Sequence, residues 1–270
     1  MNIIIFDTET LGFQSQDLLN IGYRIVDIDI FNKNFQTLCE RDMLDINLYR
    51  AVKKIANHKG CFDKDIDNIL ASNFLPKDKM AIYDKLIENK QIERHTPKKM
   101  FEIMQKDIEK YSVVFGYAYN CAFDTDKFAK TSQKYGIHNP LSYLPIFDIW
   151  AYAVNYICSS KEYIAWAKEN EIFTQKEIYI STSVESVTKY LNKDLNFVEE
   201  HTALSDTRWE VNILLKCLRL GCDITKPQKR GKFIPSGKVL HKKIVTPDGE
   251  IIEFDYTKLS TRTETEYHYE

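Results

Sequence analysis

The chain opens on Ile3-Ile4-Ile5-Phe6, an unbroken apolar run that ends in Asp7-Thr8-Glu9. An apolar run without alternation suits a strand buried on both faces. Residues 18–30 read as a second strand whose later half alternates, and residues 33–40, after the turn-like Asn32, as a third. Three such neighbours predict an antiparallel meander. From 43 to 95 the spacing turns helical in a background rich in Lys, Asp, Asn and Ile, with helices expected near 45–57, 64–72 and 78–90. Thr96-Pro97 then supplies a capping hydroxyl and a proline at the first position of another helix. Met100, Ile103, Met104 and Ile108 fall along one face of it.

Beyond this point strand and helix alternate. Strands are expected at 113–117 and 145–147, and helices at 123–135 (ending near Gly136), 148–158, 161–170, 182–191 and 203–220. Three strands followed by helix–strand–helix–strand–helix predict an α/β domain, a mixed central sheet flanked by helices. Residues 239–245 and 251–254 flank Pro247-Asp248-Gly249, a turn signal that predicts a small C-terminal β-hairpin appendage. The expected organisation is a domain over 1–222, with a helical insertion at about 43–95, and a basic linker with a hairpin tail over 223–270.

Composition narrows the class. Hydrophobic residues are 44% and charged residues 28%, average for a globular protein and unlike a disordered one. Lys+Arg is 37 and Asp+Glu 39, which excludes a wholly basic nucleic-acid coat. The balance is uneven, however: residues 226–243 carry seven Lys/Arg and no acidic residue. Six cysteines show no C-x-x-C spacing, so reduced thiols in an intracellular protein are expected rather than a zinc site. The first residues have no basic region, and their apolar run is far below the roughly 7–15 residues of a signal-peptide core. No stretch approaches the ~18 apolar residues of a membrane span. The expectation is a soluble, cytoplasmic chain with no membrane partner.

Three clusters carry candidate chemistry. Residues i and i+2 of a strand point to one face, so Asp7 and Glu9 project together from the end of the first strand. Two carboxylates held this close are costly unless a cation neutralises them, and oxygen ligands suit Mg2+ or Mn2+. Asp124, in Asn120-Cys121-Ala122-Phe123-Asp124, opens a helix just after a strand. It fits a ligand role, or a dipole-complementing or N-cap role at the start of the helix. His201-Thr202-Ala203-Leu204-Ser205-Asp206 opens the last long helix. Five residues turn a helix by roughly 500°, so His201 is expected in the loop before the helix and Asp206 in its first turns. A histidine there can accept a proton from water.

In this order the clusters resemble the DEDDh branch of the DnaQ-like 3'-5' exonucleases, which have an RNase H-like fold. The matching stretches are IIIFDTETLGF at 3–13, NCAFDTDKF at 120–128 and HTALSDTRWEVNILL at 201–215. The resemblance implies a two-metal mechanism with two Mg2+ or Mn2+ ions. Asp7 would bridge both ions, Glu9 and Asp206 would complete one site, Asp124 would support the second, and His201 would be the general base. It also implies contacts from Thr10, Leu11 and Phe13 to the terminal nucleotide, with Phe13 either an apolar wedge against its base or a core aromatic, and an Asn120 that bonds a substrate phosphate or orders its loop. Thr202, four residues before Asp206, is not Tyr, which favours the His branch. Tyr119 departs from the His that many members place before the Asn.

The implied partner is the 3' end of DNA or RNA, with DNA favoured and 5'-mononucleotides as products. A 3'-5' exoribonuclease is the nearest alternative, and a non-catalytic, polymerase-associated binding module a third reading. With no polymerase-sized remainder in the chain, a separate polymerase or replication protein is the expected partner for proofreading. The basic stretch could guide a strand or be a solvated linker, and Lys53, Lys54, His58 and Lys59 could contact a backbone or form a solvated helix face. The abundance of Lys, Asn and Ile resembles coding from an AT-rich genome, such as that of a bacterial virus or its host.

Overall fold

The computed structural model describes residues 1–10, 18–57, 77–229, 231–237, 240–245 and 251–256. The expected helix at 64–72, the tight turn at 247–249, and His58 and Lys59 lie outside these residues.

Strand β1 (Asn2–Thr10) is longer than its apolar run, and Asp7, Thr8 and Glu9 belong to it rather than following it. Strands β2 (Leu18–Asp29) and β3 (Asn34–Asp45) complete the antiparallel meander. Helices α1 (Ile46–Asn57) and α2 (Lys77–Glu88) follow, then a three-residue strand β4 (Glu93–His95) that the sequence pattern misses. Helix α3 (Pro97–Lys110) starts as expected: the Thr96 side chain accepts the Lys99 N–H and Pro97 occupies the first turn. Next come β5 (Phe115–Ala118), α4 (Ala122–Tyr135) and β6 (Ile146–Asp148). Helix α5 (Ile149–Ala153) runs into a π-helical turn over Val154–Cys158, where a single α-helix over 148–158 is expected. Helices α6 (Lys161–Glu169), α7 (Val184–Asn192) and α8 (Ala203–Arg219) complete the domain, and β7 (Leu240–Val245) and β8 (Ile251–Tyr256) pair as an antiparallel hairpin.

The main sheet has the order β4-β3-β2-β1-β5-β6. β1 pairs antiparallel with β2 but parallel with β5, and β5 is parallel with β6. This is a mixed central sheet flanked by helices, the α/β arrangement expected. Side chains from β1 alternate between two cores. Ile3 and Ile5 join α5, α6, α7 and α8 on one face, while Ile4 and Phe6 join α3 and α4 on the other. A third cluster, including Leu19, Leu44, Tyr49, Val52 and Tyr83, seats α1 and α2 beside β2 and β3. Lys53 is engaged there with Asp84 at 2.5 Å. Among the described residues, no helix is long and apolar enough to cross a membrane, and none of the cysteines forms a disulfide.

Helix α8 is set on the sheet by every second residue of β2. The Asn20 carbonyl oxygen accepts the Ala203 N–H at 3.1 Å, and Arg24 Nε donates to Thr207 Oγ1 at 3.1 Å. Between them, a Cβ on Gly22 would stand 2.0 Å from Leu204 N and 2.2 Å from Ala203 C. Only a residue without a side chain lets the helix come this close. Gly22→Ala is expected to cost about 3 kcal/mol or more, the upper end for overpacking, because the obstructing atoms are backbone. Urea unfolding at unchanged slope would read this loss, and near-wild-type stability would show that α8 can move off the sheet.

Beyond α8 the chain continues along the domain. Tyr117 OH donates to Ile224 O at 2.7 Å, Tyr152 OH to Lys226 O at 2.9 Å and Asn155 Nδ2 to Lys229 O at 2.9 Å. Phe233 stacks on Tyr179 at 5.1 Å and meets Trp150 edge-on at 6.2 Å.

Candidate active site

The register explains which side chains meet. Asp7 lies opposite Gly22 and Glu9 opposite Asn20, so both acidic residues face α8, like Ile3 and Ile5 before them. Asp206, in the first turn of α8, faces back. Carboxylate oxygens of Asp7, Glu9 and Asp206 lie within 4.8 Å of one another. A bulge between Glu9 and Thr10 interrupts the β1–β2 ladder here. Bulges of this kind re-aim side chains and recur beside active sites.

Thr8 points to the other face, toward α4. Its hydroxyl donates to Asp124 Oδ1 at 2.6 Å. Asp124 lies in the first turn of α4, where an acidic residue complements the helix dipole, but it is not the cap: Cys121 stands there and makes no side-chain bond to the helix. Asp124 is 2% exposed and instead adds its charge to the group at the strand end. Asp7 keeps a partly open side yet lies deep among protein atoms. Burial pushes its carboxyl well above the usual range, and Asp124, Asp206, Glu9 and Glu210 push it further. Burial likewise raises Asp124 to about 7, against the stabilising Thr8 hydrogen bond. The group lies at the carboxyl end of β1, beside parallel β5, the edge where ligands bind in open α/β sheets.

Five residues that motif reading does not supply shape this site. Asn20 also donates to Asp42 Oδ1 at 2.6 Å and receives Tyr83 OH at 3.3 Å, so it ties the start of α8 to β3 and α2. Thr8 holds Asp124. Glu210, one turn beyond Asp206, is 2% exposed and accepts the Tyr119 N–H at 3.3 Å.

His201 stands outside the carboxylate group. It occupies the loop before α8, as expected, with a left-handed backbone (φ 53), a strained choice for a non-glycine residue. Its ring is 61% exposed, and Nδ1 lies 3.9 Å from Glu199 Oε2. Glu185, Glu199 and His201 form a second cluster with potential ligand atoms within 4.8 Å, but there Glu185 is already engaged by Lys189 at 2.6 Å. Asn120 is exposed and left-handed (φ 61), and its N–H donates to Asp148 Oδ1 at 2.9 Å. Tyr119 sends its hydroxyl to Thr182 O at 2.5 Å. Thr10 is buried at the end of β1, and Leu11 and Phe13 lie outside the described residues.

The chain matches no protein-family model, and no curated protein is similar to it in sequence. Among solved structures it is similar to E. coli Exonuclease I in complex with a dA16 oligonucleotide. The TM-score is 0.43 at 14% identity, over 82% of this chain and 41% of that one. The chain therefore spans well under half the length of that protein.

The donor set fits hard divalent cations. It consists of carboxylate oxygens alone, gathered at one strand end, where burial and mutual repulsion favour whatever brings positive charge. A soft metal would call for thiolate or imidazole ligands.

Proposed function

We propose that the chain is a divalent-cation-dependent 3'-5' exonuclease of the DnaQ-like, DEDDh type. In this reading it removes 5'-mononucleotides from single-stranded 3' ends, with DNA favoured. The observation that carries the proposal is the convergence of Asp7, Glu9 and Asp206 within 4.8 Å, with Asp124 adding its charge from the opposite face. These residues would hold Mg2+ or Mn2+, with Asp7 shared between two ions. Bound ions of this kind activate a water and stabilise the entering and leaving oxygens of an in-line displacement.

The chain's own residues do the rest. Thr8 fixes the Asp124 carboxylate, so its oxygens need no reorganisation when substrate arrives. Asn20 and Gly22 fix the height of α8, and with it the distance from Asp206 to β1. Asn120, Thr10, Leu11 and Phe13 are assigned to the terminal nucleotide. His201 takes the proton of the attacking water.

The test is a time course on matched DNA and RNA oligomers labelled at the 5' end, with Mg2+, Mn2+ or chelator. A ladder shortening from the 3' end, faster on DNA and absent with chelator, is expected. A faster RNA ladder would assign the chain to 3'-end RNA trimming. No cleavage under any metal would indicate a binding module instead. In the same assay His201→Ala should lower kcat by about 10²–10⁴-fold, the usual contribution of a positioned base, with the melting temperature unchanged. An unaltered rate and pH profile would remove His201 from the chemistry.

A further inference from the structure

Glu210 is not accounted for by the four carboxylates above. Residues four apart on a helix share a face, so Glu210 turns with Asp206 toward the sheet, and its side chain is 2% exposed. Oε1 accepts the Tyr119 N–H at 3.3 Å, at the turn that leads from β5 toward Asp124. Oε2 is sealed from solvent and has no hydrogen-bond partner among the described residues. After burial itself, the strongest influences on Glu210 are the charges of Asp124 and Asp206.

A carboxylate is a poor choice for such a place if its only task is to receive one N–H. A buried oxygen without a donor is costly, and a carboxylate amid other carboxylates more so. A glutamine would accept the same N–H without the charge. The arrangement makes sense if positive charge enters the site.

We propose that Glu210 is a fifth carboxylate of the cation site, with Oε1 spent on the β5–α4 turn and Oε2 kept for a divalent cation or for a water that the cation carries. This rests on reading the site as a divalent-cation centre. Glu210 thereby couples cation binding to the turn that bears Tyr119 and Asn120. Groups that orient the ligands of a bound metal typically govern its affinity by about 10–100-fold.

Mn2+ titration of the full-length protein by calorimetry, paired with thermal melts with and without Mn2+, separates the possibilities. Glu210→Gln keeps the size of the side chain and an acceptor for the Tyr119 N–H but loses the charge. It should bind Mn2+ about 10–100-fold more weakly, show a smaller Mn2+-induced rise in melting temperature, and melt no lower than wild type without cation. Wild-type affinity in Glu210→Gln would overturn the inference and leave the four-carboxylate site standing. A cation-free variant melting well below wild type would also overturn it, by making Glu210 a structural acceptor. Failure of the wild-type protein to bind Mn2+ would overturn both this inference and the cation-site reading.

Discussion

Asp7→Asn should abolish hydrolysis and, at alkaline pH without divalent cations, make the protein more stable. Both effects come from one placement. Asp124, Asp206, Glu9 and Glu210 all act on the Asp7 carboxyl, so it sits among the negative charges of the group. On the proposed reading, losing a ligand that two ions would share removes several kcal/mol of transition-state stabilisation. About 4 kcal/mol corresponds to a rate loss of about 10³-fold. In the cation-free protein the same carboxylate is a buried charge surrounded by like charges. Asn keeps its size and removes its repulsion. A gain of about 1–2 kcal/mol would raise the melting temperature by about 2–8 °C in a domain of this size. Turnover within tenfold of wild type would take Asp7 out of the catalytic centre, and a lower melting temperature would mean that Asp7 is held by favourable bonds rather than by the fold around it.

The second large effect is a stability that depends on pH in opposite senses with and without cation. Asp124 is raised to about 7 and Asp42 to about 6, both chiefly by burial, and Asp7 and Glu210 are raised as well. A raised carboxyl holds its proton more tightly in the folded protein than in the unfolded chain. Its contribution is fully present below the unfolded value near 4 and is lost as pH rises through the folded value. The cation-free protein should therefore lose stability steadily between about pH 4 and pH 7 as Asp42 and Asp124 ionise, with Asp7 and Glu210 acting in the same sense. Asp223, lowered to about 2 by its Thr225 and Lys226 partners, acts in the opposite sense but only at more acidic pH. Ions compete with these protons, so Mn2+ should stabilise little at pH 5 and strongly at pH 8. At a concentration about 100 times its Kd, a cation contributes about 2.7 kcal/mol, or about 5–10 °C. Melting curves at the two pH values, with chelator and with Mn2+, measure the effect. A cation shift that is the same at both would mean that the bound ions do not displace protons from this group.

The sequence displays what local patterning controls. Asp7 and Glu9 share a face because strands alternate, and Thr96-Pro97 marks the start of α3 because capping is a matter of adjacent residues. Gly136 ends α4 in a left-handed conformation (φ 60), where a glycine is at ease. What the sequence conceals depends on partners far along the chain. Asn20 reads as one polar residue in an apolar strand, yet its partner Ala203 lies 183 residues away. Thr8 reads as a spacer between two acidic residues, and Asp124, which it holds, is 116 positions on. Glu210 resembles any surface glutamate of an amphipathic helix, and only the packing of α8 against the end of β5 makes it a buried charge. β4 is Glu-Arg-His, with no strand signal of its own, and exists through its parallel pairing with β3.

The most direct measurement is the anomalous scattering of Mn2+ in crystals of the protein soaked with Mn2+ and a nucleoside 5'-monophosphate. The account predicts two peaks roughly 3.5–4 Å apart at the end of β1, among Asp7, Glu9, Asp124 and Asp206, with the product phosphate between them and His201. Peaks confined to Glu185, Glu199 and His201, or no peak at the strand end with product bound elsewhere, would contradict it.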